Sequence, residues 1–373
     1  MKKDDPYIIN AGDLYEDESQ DELPPLKESK PVAKVKSKPT YSSTDVMAEG
    51  FTKERDAGYF EGYGYLDIHC EMISDFARTD AYKKGIQSAY PLKDKVVLDV
   101  GAGTGILSMF AAEGGAKKVY ALEPANVASD AQEIICENGF QKTIKIIRKT
   151  SEAITNDDLD GNVPDIIVSE WMGYFLHFEG MLQSVISARE KFNNVPKMLP
   201  STCTLRLSLL VKPRFWNYLY GSWQDKTKNR YGFKFSPLAR YQIDDAHTEV
   251  IPGDEVYGAE QVHFLDLDKC SADEIDFESN FLFKNLPEDM VVYGIVGHFD
   301  VGFNDKVILD TSPSATPTHW KQTVFPFKEP FKSLPGNQLK GWIQCQRQST
   351  KRDLEVILQF PDMDNWTKRF VLD

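Results

Sequence analysis

Apolar and polar positions follow two different rhythms along this chain. The stretch "KVVLDVGAGTGILSMFAAEGGAKKVYALE", residues 95–123, packs a strand, a glycine turn, a helix and a second strand into one continuous unit. Val96, Val97, Leu98 and Val100 form the unbroken apolar run of a strand covered on both faces. "TIKIIRKT" and "PDIIVSEWM" supply two more strands with helical connections between them, and "AYKKGIQSAYP" upstream predicts a helix that ends near Pro91. Strand alternating with helix predicts a doubly wound parallel sheet. After Pro200 the period shortens: "TCTLRLSLLVKP", "AEQVHFLDL", "VVYGIVGHFDVGF" and "RDLEVILQF" predict an antiparallel sheet or barrel.

Residues 1–48 fit neither rhythm. An acidic block (Asp13 to Glu22) is followed by the lysine- and proline-bearing "PPLKESKPVAKVKSKPT". So polar a segment cannot bury enough apolar surface to offset its ordering entropy, and the expectation is a disordered tail. Its lysines read as a solvated linker, with a nuclear import signal as the alternative. The expected organisation is therefore this tail, a parallel-sheet domain over 49–200 and an antiparallel domain over 201–373. Within the latter, "RFWNYLYGSWQDKTKNRYGFKFS" carries a dense set of tryptophans and tyrosines. Exposed on a monomer they would form a sticky patch, so the segment at about 213–236 reads as a subunit contact.

Charge and cysteine content narrow the function. Across 373 residues the formal net charge is −14, which argues against a protein that coats nucleic acid or an anionic membrane and suits basic partners. Cys70, Cys136, Cys203, Cys270 and Cys345 are scattered without a CxxC pair, so reduced thiols and no metal site are expected. No apolar run reaches 18 residues and the N-terminus does not read as a signal peptide. A soluble protein of the cytoplasm or nucleus is expected.

Two stretches carry chemistry. In "VLDVGAGTG", Gly101, Gly103 and Gly105 follow a strand and open a helix, Asp99 lies two residues upstream, and the next strand ends in Glu123. An acid at that strand end suits a pair of ribose hydroxyls. The spacing GxGxG, in place of GxGxxG, resembles S-adenosylmethionine-dependent methyltransferases more than dehydrogenases. The other stretch, "SEWMGYFLHFEGML", holds Glu170 and Glu179 as its only charges amid aromatic and aliphatic residues. Two carboxylates in an apolar setting repel each other and gain from a shared cation, and a guanidinium fork matches their geometry.

That double-glutamate loop resembles the one found in protein arginine methyltransferases. So does "YFEGYGYLDIHCEMISDFARTDAY" (59–82), which matches their N-terminal helical signature, and so does "THWKQTVF" (318–325), which matches their Thr-His-Trp loop. The resemblance runs from about residue 55 to the C-terminus. It implies a Rossmann-like S-adenosylmethionine-dependent methyltransferase domain followed by a β-barrel domain with a helical dimerisation arm, assembled as a homodimer. For the cofactor site it implies His69 near, and Arg78 on, the methionine carboxylate, with Gly101 and Gly103 close to the cofactor. Asp99 would belong to this site, Glu123 would hold the ribose, and Glu152 would sit beside the adenine. Phe60, Tyr63 and Met72 would enclose the cofactor. Glu170 and Glu179 would clamp the substrate arginine, with Tyr59, Met181 and Trp320 walling its pocket. Asp75 and His319 would form a hydrogen-bonded pair. Either that pair or Glu179 would accept the product proton.

The retained Met72 and "THW" favour the asymmetric-dimethylating type, acting on basic Arg/Gly-rich tails of RNA-binding, ribosomal or histone proteins. Some features depart from the pattern: Pro124 after Glu123 alters the strand exit, and the aromatic segment matches the dimerisation arm in position but only loosely in sequence. Gly180 stands where a serine is common, and His177 in the loop is unusual, expected to face solvent or to touch a peptide. The rival readings are a catalytically weak paralogue that scaffolds or activates a partner enzyme, and a methyltransferase for small molecules or nucleic acid. The first would have lost clamp or cofactor residues, and the second would need stacking aromatics and basic groups in place of two carboxylates.

Overall fold

The computed structural model describes residues 66–192, 196–221, 223, 231–233, 235–333, 338–348, 352–363 and 366–372. The expected tail, and with it Tyr59, Phe60 and Tyr63, lies outside the described residues.

Two helices, α1 (Leu66–Ser74) and α2 (Phe76–Ala89), lead into the parallel sheet. Asp75 between them caps α2, its Oδ1 accepting the Arg78 N–H at 3.0 Å. The sheet is built from β1 (Val96–Val100), β2 (Lys118–Leu122), β3 (Ile144–Ile147), β4 (Ile166–Val168) and β5 (Lys197–Leu199) in the order β3-β2-β1-β4-β5. Every strand pair in it is parallel. All five residues of β1 are buried, as its apolar run requires for a central strand. Helix α3 (Ile106–Glu113) packs on β1, β2 and β3, α4 (Ala128–Glu137) packs on β3, and α5 (Leu182–Glu190) follows the loop after β4. The short β5, framed by Pro196 and Pro200, was legible in sequence only as a junction.

From Thr202 the pairing becomes antiparallel. One sheet joins β7 (His247–Glu249), β12 (Gln322–Lys332), β10 (Val291–Phe303), β6 (Thr202–Leu210) and β8 (Val256–Asp266), with β11 (Val307–Asp310) on β10. The other runs β15 (Trp366–Leu372), β14 (Leu354–Phe360), β13 (Gln338–Arg347), β9 (Phe277–Lys284). Their facing sides share an aromatic core in which Phe325 meets Phe370 at 4.9 Å and Phe327 meets Phe360 at 5.4 Å, edge to face. This is the barrel half of the fold. Helices α6 (Arg214–Gly221) and α7 (Ser236–Asp244) lie over a second, smaller core that includes Phe215, Trp216 and Ile243. Tyr218, Tyr231, Phe233, Phe235, Leu238 and Tyr241 around them are exposed.

One hydrophobic core runs through both halves. At the seam α2 packs on β11 and β10. The Tyr82 ring meets Phe303 edge to face at 5.0 Å, and a side chain at Gly85 would place its Cβ 2.4 Å from the same ring. That close approach fixes where α2, and every functional residue on it, stands against the barrel.

Candidate active site

The carboxyl ends of β1 and β2 open onto a cavity of about 240 Å³. Open α/β sheets bind ligands at this edge. Gly101 and Gly103 adopt φ of +75° and +53°, where a side chain is strained. A Cβ on Gly101 would also come within 2.3 Å of the Met181 methyl. The turn is braced from β2: Glu123 Oε2 accepts the Gly103 N–H at 2.8 Å and Oε1 accepts the Ala125 N–H at 2.8 Å. Each carboxylate oxygen retains capacity for a further donor. His69 and Met72 from α1, and Glu152 from the 3-10 turn Ser151–Ala153 after β3, line the same cavity. A bare-backbone turn beside a carboxylate at the second strand end fits a nucleoside-type cofactor such as S-adenosylmethionine.

Asp99 takes no part in the cavity wall. It is fully buried beneath the turn, where its Oδ2 accepts the Ser108 hydroxyl at 2.7 Å. Burial raises its pKa to about 7, against the opposing Ser108 bond and with help from the charge of Glu123. Asp99 thus braces the turn from below. A folded pKa of about 7 against the ordinary 3.8 means its contribution to stability is full below 3.8 and is lost as pH rises through about 7. Accordingly, the wild-type melting temperature is expected to fall between pH about 4 and about 8 relative to Asp99→Asn. Parallel melting curves of the two proteins over that range check this, and equal slopes would refute it.

The clamp loop, residues 169–181, leaves β4 and is anchored at both ends. Ser169 accepts the Tyr82 hydroxyl at its carbonyl (3.0 Å) and donates its own hydroxyl to the Val100 carbonyl (2.7 Å). Glu170 follows directly and accepts Arg78 Nε at 3.1 Å and Nη2 at 2.8 Å, both on Oε2. Its Oε1 accepts the Met172 N–H at 3.2 Å. Both side chains are buried, at 6% and 9% exposure. Burial alone would lower the Arg78 pKa, but the Glu170 charge and bond outweigh it and raise it. Arg78, expected on the cofactor's carboxylate, here occupies a clamp carboxylate.

The far half of the loop is held by the barrel. Phe175, Leu176, Glu179 and Gly180 all have φ between +51° and +70°, an unusual run that persists only where surroundings enforce it. Phe175 meets Phe325 at 5.1 Å. His177, expected to face solvent or a peptide, is instead 2% exposed, stacked on Trp171 and set against His263 of β8 and Phe277 of β9. Burial, with the neighbouring His263 and Arg347, pushes its pKa well below 6.5, so it packs as a neutral ring. Glu179 donates its N–H to the Arg352 carbonyl at 3.2 Å, and its carbonyl accepts Arg352 Nη1 at 2.7 Å.

Glu170, Glu179, Met181, Arg78 and Met72 thus share one cavity with the glycine turn. Asp75, His319 and Trp320 stand behind it. Asp75 Oδ2 accepts the His319 N–H at 2.9 Å and lies 2.8 Å from its Nδ1. Burial raises the Asp75 pKa, yet the His319 ring and the Arg78 and His319 N–H groups outweigh that and hold it below 3.8. Trp320, expected on the pocket wall, is 3% exposed and donates Nε1–H to the Met172 carbonyl at 2.9 Å. Arg352, a further lining residue, escaped the sequence reading. It stands two residues before β14, and nothing local marks its contact with Glu179, 173 residues away.

A parallel sheet with this turn, joined to a barrel and bearing two glutamates beside the turn, defines an S-adenosylmethionine-dependent methyltransferase built for a cationic acceptor. Residues 209–364 match the family described as the arginine methyltransferase oligomerization subdomain, and residues 86–175 match ribosomal protein L11 methyltransferase. The chain is 36% identical to protein arginine N-methyltransferase 1 of Dictyostelium discoideum, covering 81% of this chain and 88% of that protein. With protein arginine N-methyltransferase 1 of Saccharomyces cerevisiae it shares 34% identity over 82% of this chain and 88% of the relative. Among solved structures, the Trypanosoma brucei PRMT1 enzyme-prozyme heterotetrameric complex with AdoHcy is similar, with a TM-score of 0.74 and 32% identity over 83% of this chain and 99% of that one. The chain belongs to the protein arginine N-methyltransferase family.

Proposed function

We propose that this protein transfers methyl groups from S-adenosylmethionine to guanidino nitrogens of arginine in proteins, giving mono- and asymmetric dimethylarginine. One observation carries this reading: the cavity at the glycine turn is lined by two glutamates, one of which already holds a guanidinium through two of its nitrogens.

S-adenosylmethionine, when bound, supplies an electrophilic methyl group on a sulfonium. Gly101 and Gly103 would admit it through bare backbone, Glu123 would hold its ribose hydroxyls and Glu152 its adenine. His69 and Arg78 would attend its carboxylate. Glu170 and Glu179 would grip the substrate guanidinium by the nitrogens not being methylated. Arginine is a weak nucleophile because its lone pairs are delocalised and it stays protonated. Two carboxylates draw the positive charge towards themselves and leave the target nitrogen richer in electrons, while alignment at near-attack distance lowers the barrier further. Of the two proton acceptors considered, Glu179 lines the cavity, so it is assigned the role. The Asp75–His319 pair ties the Thr-His-Trp loop to the α2 cap. Met72 and Met181 wall the target position and favour the asymmetric product.

The substrates fitting a net charge of −14 are basic, Arg/Gly-rich tails of RNA-binding, ribosomal or histone proteins. The exposed apolar residues around α6 and α7 support assembly as a homodimer, and the trypanosomal enzyme-prozyme heterotetramer makes a related partner chain the alternative. The net charge and dispersed cysteines fit the cytoplasm or nucleus. Mass spectrometry of an Arg-Gly-rich peptide incubated with the protein and S-adenosylmethionine tests the reading. Asymmetric dimethylarginine is expected. An unmodified peptide, with S-adenosylhomocysteine still binding, would shift the reading to a scaffold.

A further inference from the structure

The clamp loop carries Glu179, but the backbone atoms of Glu179 are held from the barrel. Arg352 lies in the connection between β13 and β14 and lines the cavity together with both glutamates. Its carbonyl accepts the Glu179 N–H at 3.2 Å, and its Nη1 donates to the Glu179 carbonyl at 2.7 Å. This reciprocal pair brackets a residue with φ of +70°, followed by Gly180 at +66°. A left-handed glutamate is held against its own preference, and a glycine neighbour adds freedom where the loop must stay in one shape. We infer that Arg352 is a positioning residue for substrate arginine: by bonding both sides of the Glu179 peptide, it sets the direction in which that carboxylate enters the cavity.

The inference rests on the arginine methyltransferase reading and deepens it. A competing effect has the opposite sign. A fixed guanidinium in a cavity that receives a guanidinium repels it, so removing Arg352 for charge reasons alone would tighten peptide binding. If positioning dominates, removal loosens it, because a displaced clamp carboxylate loses the aligned contact. The direction of change therefore separates the two roles.

The test compares wild type with Arg352→Ala, Arg352→Gln and Arg352→Lys in the full chain. An Arg-Gly-rich peptide is the substrate, and S-adenosylhomocysteine affinity is measured by calorimetry as a control on the cofactor side. Arg352→Ala is expected to raise the peptide KM about tenfold and to lower kcat about tenfold, because the displaced Glu179 carboxylate serves both binding and the chemical step. S-adenosylhomocysteine affinity should stay at the wild-type value. Arg352→Lys, which keeps a donor for the Glu179 carbonyl, is expected to recover much of the loss. A peptide KM at or below the wild-type value in both Arg352→Ala and Arg352→Gln would overturn the inference. Should the alanine variant fail to bind S-adenosylhomocysteine, the milder Arg352→Gln decides alone by the same direction of KM. Wild-type protein that binds S-adenosylhomocysteine but does not methylate the peptide would instead count against the underlying function.

Discussion

Glu179→Gln is expected to lower kcat on an Arg-Gly-rich peptide by about 10²–10³-fold while leaving S-adenosylhomocysteine affinity intact. Glutamine keeps the size and shape of the side chain and removes only its charge. The contacts that hold this residue to Arg352 use its main-chain N–H and carbonyl, so they survive the substitution. The substitution thus reads the carboxylate charge, which is assigned both the pull on the guanidinium and the acceptance of the product proton. Initial rates with calorimetric titration of S-adenosylhomocysteine separate the two sites. A variant that retains wild-type kcat would remove Glu179 from the mechanism.

Arg78→Met should produce the largest combined loss, because Arg78 serves both sides of the site. Its guanidinium is the partner of Glu170, and both side chains are buried. Removing the cation alone strands a carboxylate in a poorly solvated place, at a cost of about 3–5 kcal/mol. Cofactor affinity should collapse together with stability, since the same guanidinium is assigned to the cofactor's carboxylate. Removing both charges at once, with Arg78→Met and Glu170→Gln, should return most of the stability because no buried charge is left unpaired. Activity should remain absent. Urea midpoints for the single and double variants check the first statement, and methyl transfer checks the second. A double variant no more stable than Arg78→Met would show that the pair is not what stabilises the site.

How far the sequence could be read depended on the range of the physics involved. β1, β2 and β4 were legible because a strand covered on both faces is a local apolar run, and the edge strand β3 because three isoleucines flank a single lysine. The three-residue β5 was not, since its place is set by pairing with β4. The glycine turn, Glu123 and the clamp loop were legible because each is a compact motif, and their convergence on one cavity follows from strand order. His177 was misjudged: a polar residue in a loop reads as exposed, and only the barrel rings of His263 and Phe277 make it a packing residue. Asp99 and Trp320 were placed near the cofactor and substrate by motif, yet both brace the site from behind. Arg352 was invisible for the same reason as β5: its meaning lies in a contact between distant segments.

The most direct test of the clamp is a binding comparison. Fluorescence anisotropy of an Arg-Gly-rich peptide against the same peptide with citrulline in place of arginine is measured with S-adenosylhomocysteine present. Citrulline keeps the shape and removes the charge. The arginine peptide is expected to bind about tenfold tighter or more, with that advantage disappearing in Glu179→Gln. Equal binding of the two peptides to the wild-type protein would contradict the claim that Glu170 and Glu179 form a guanidinium clamp.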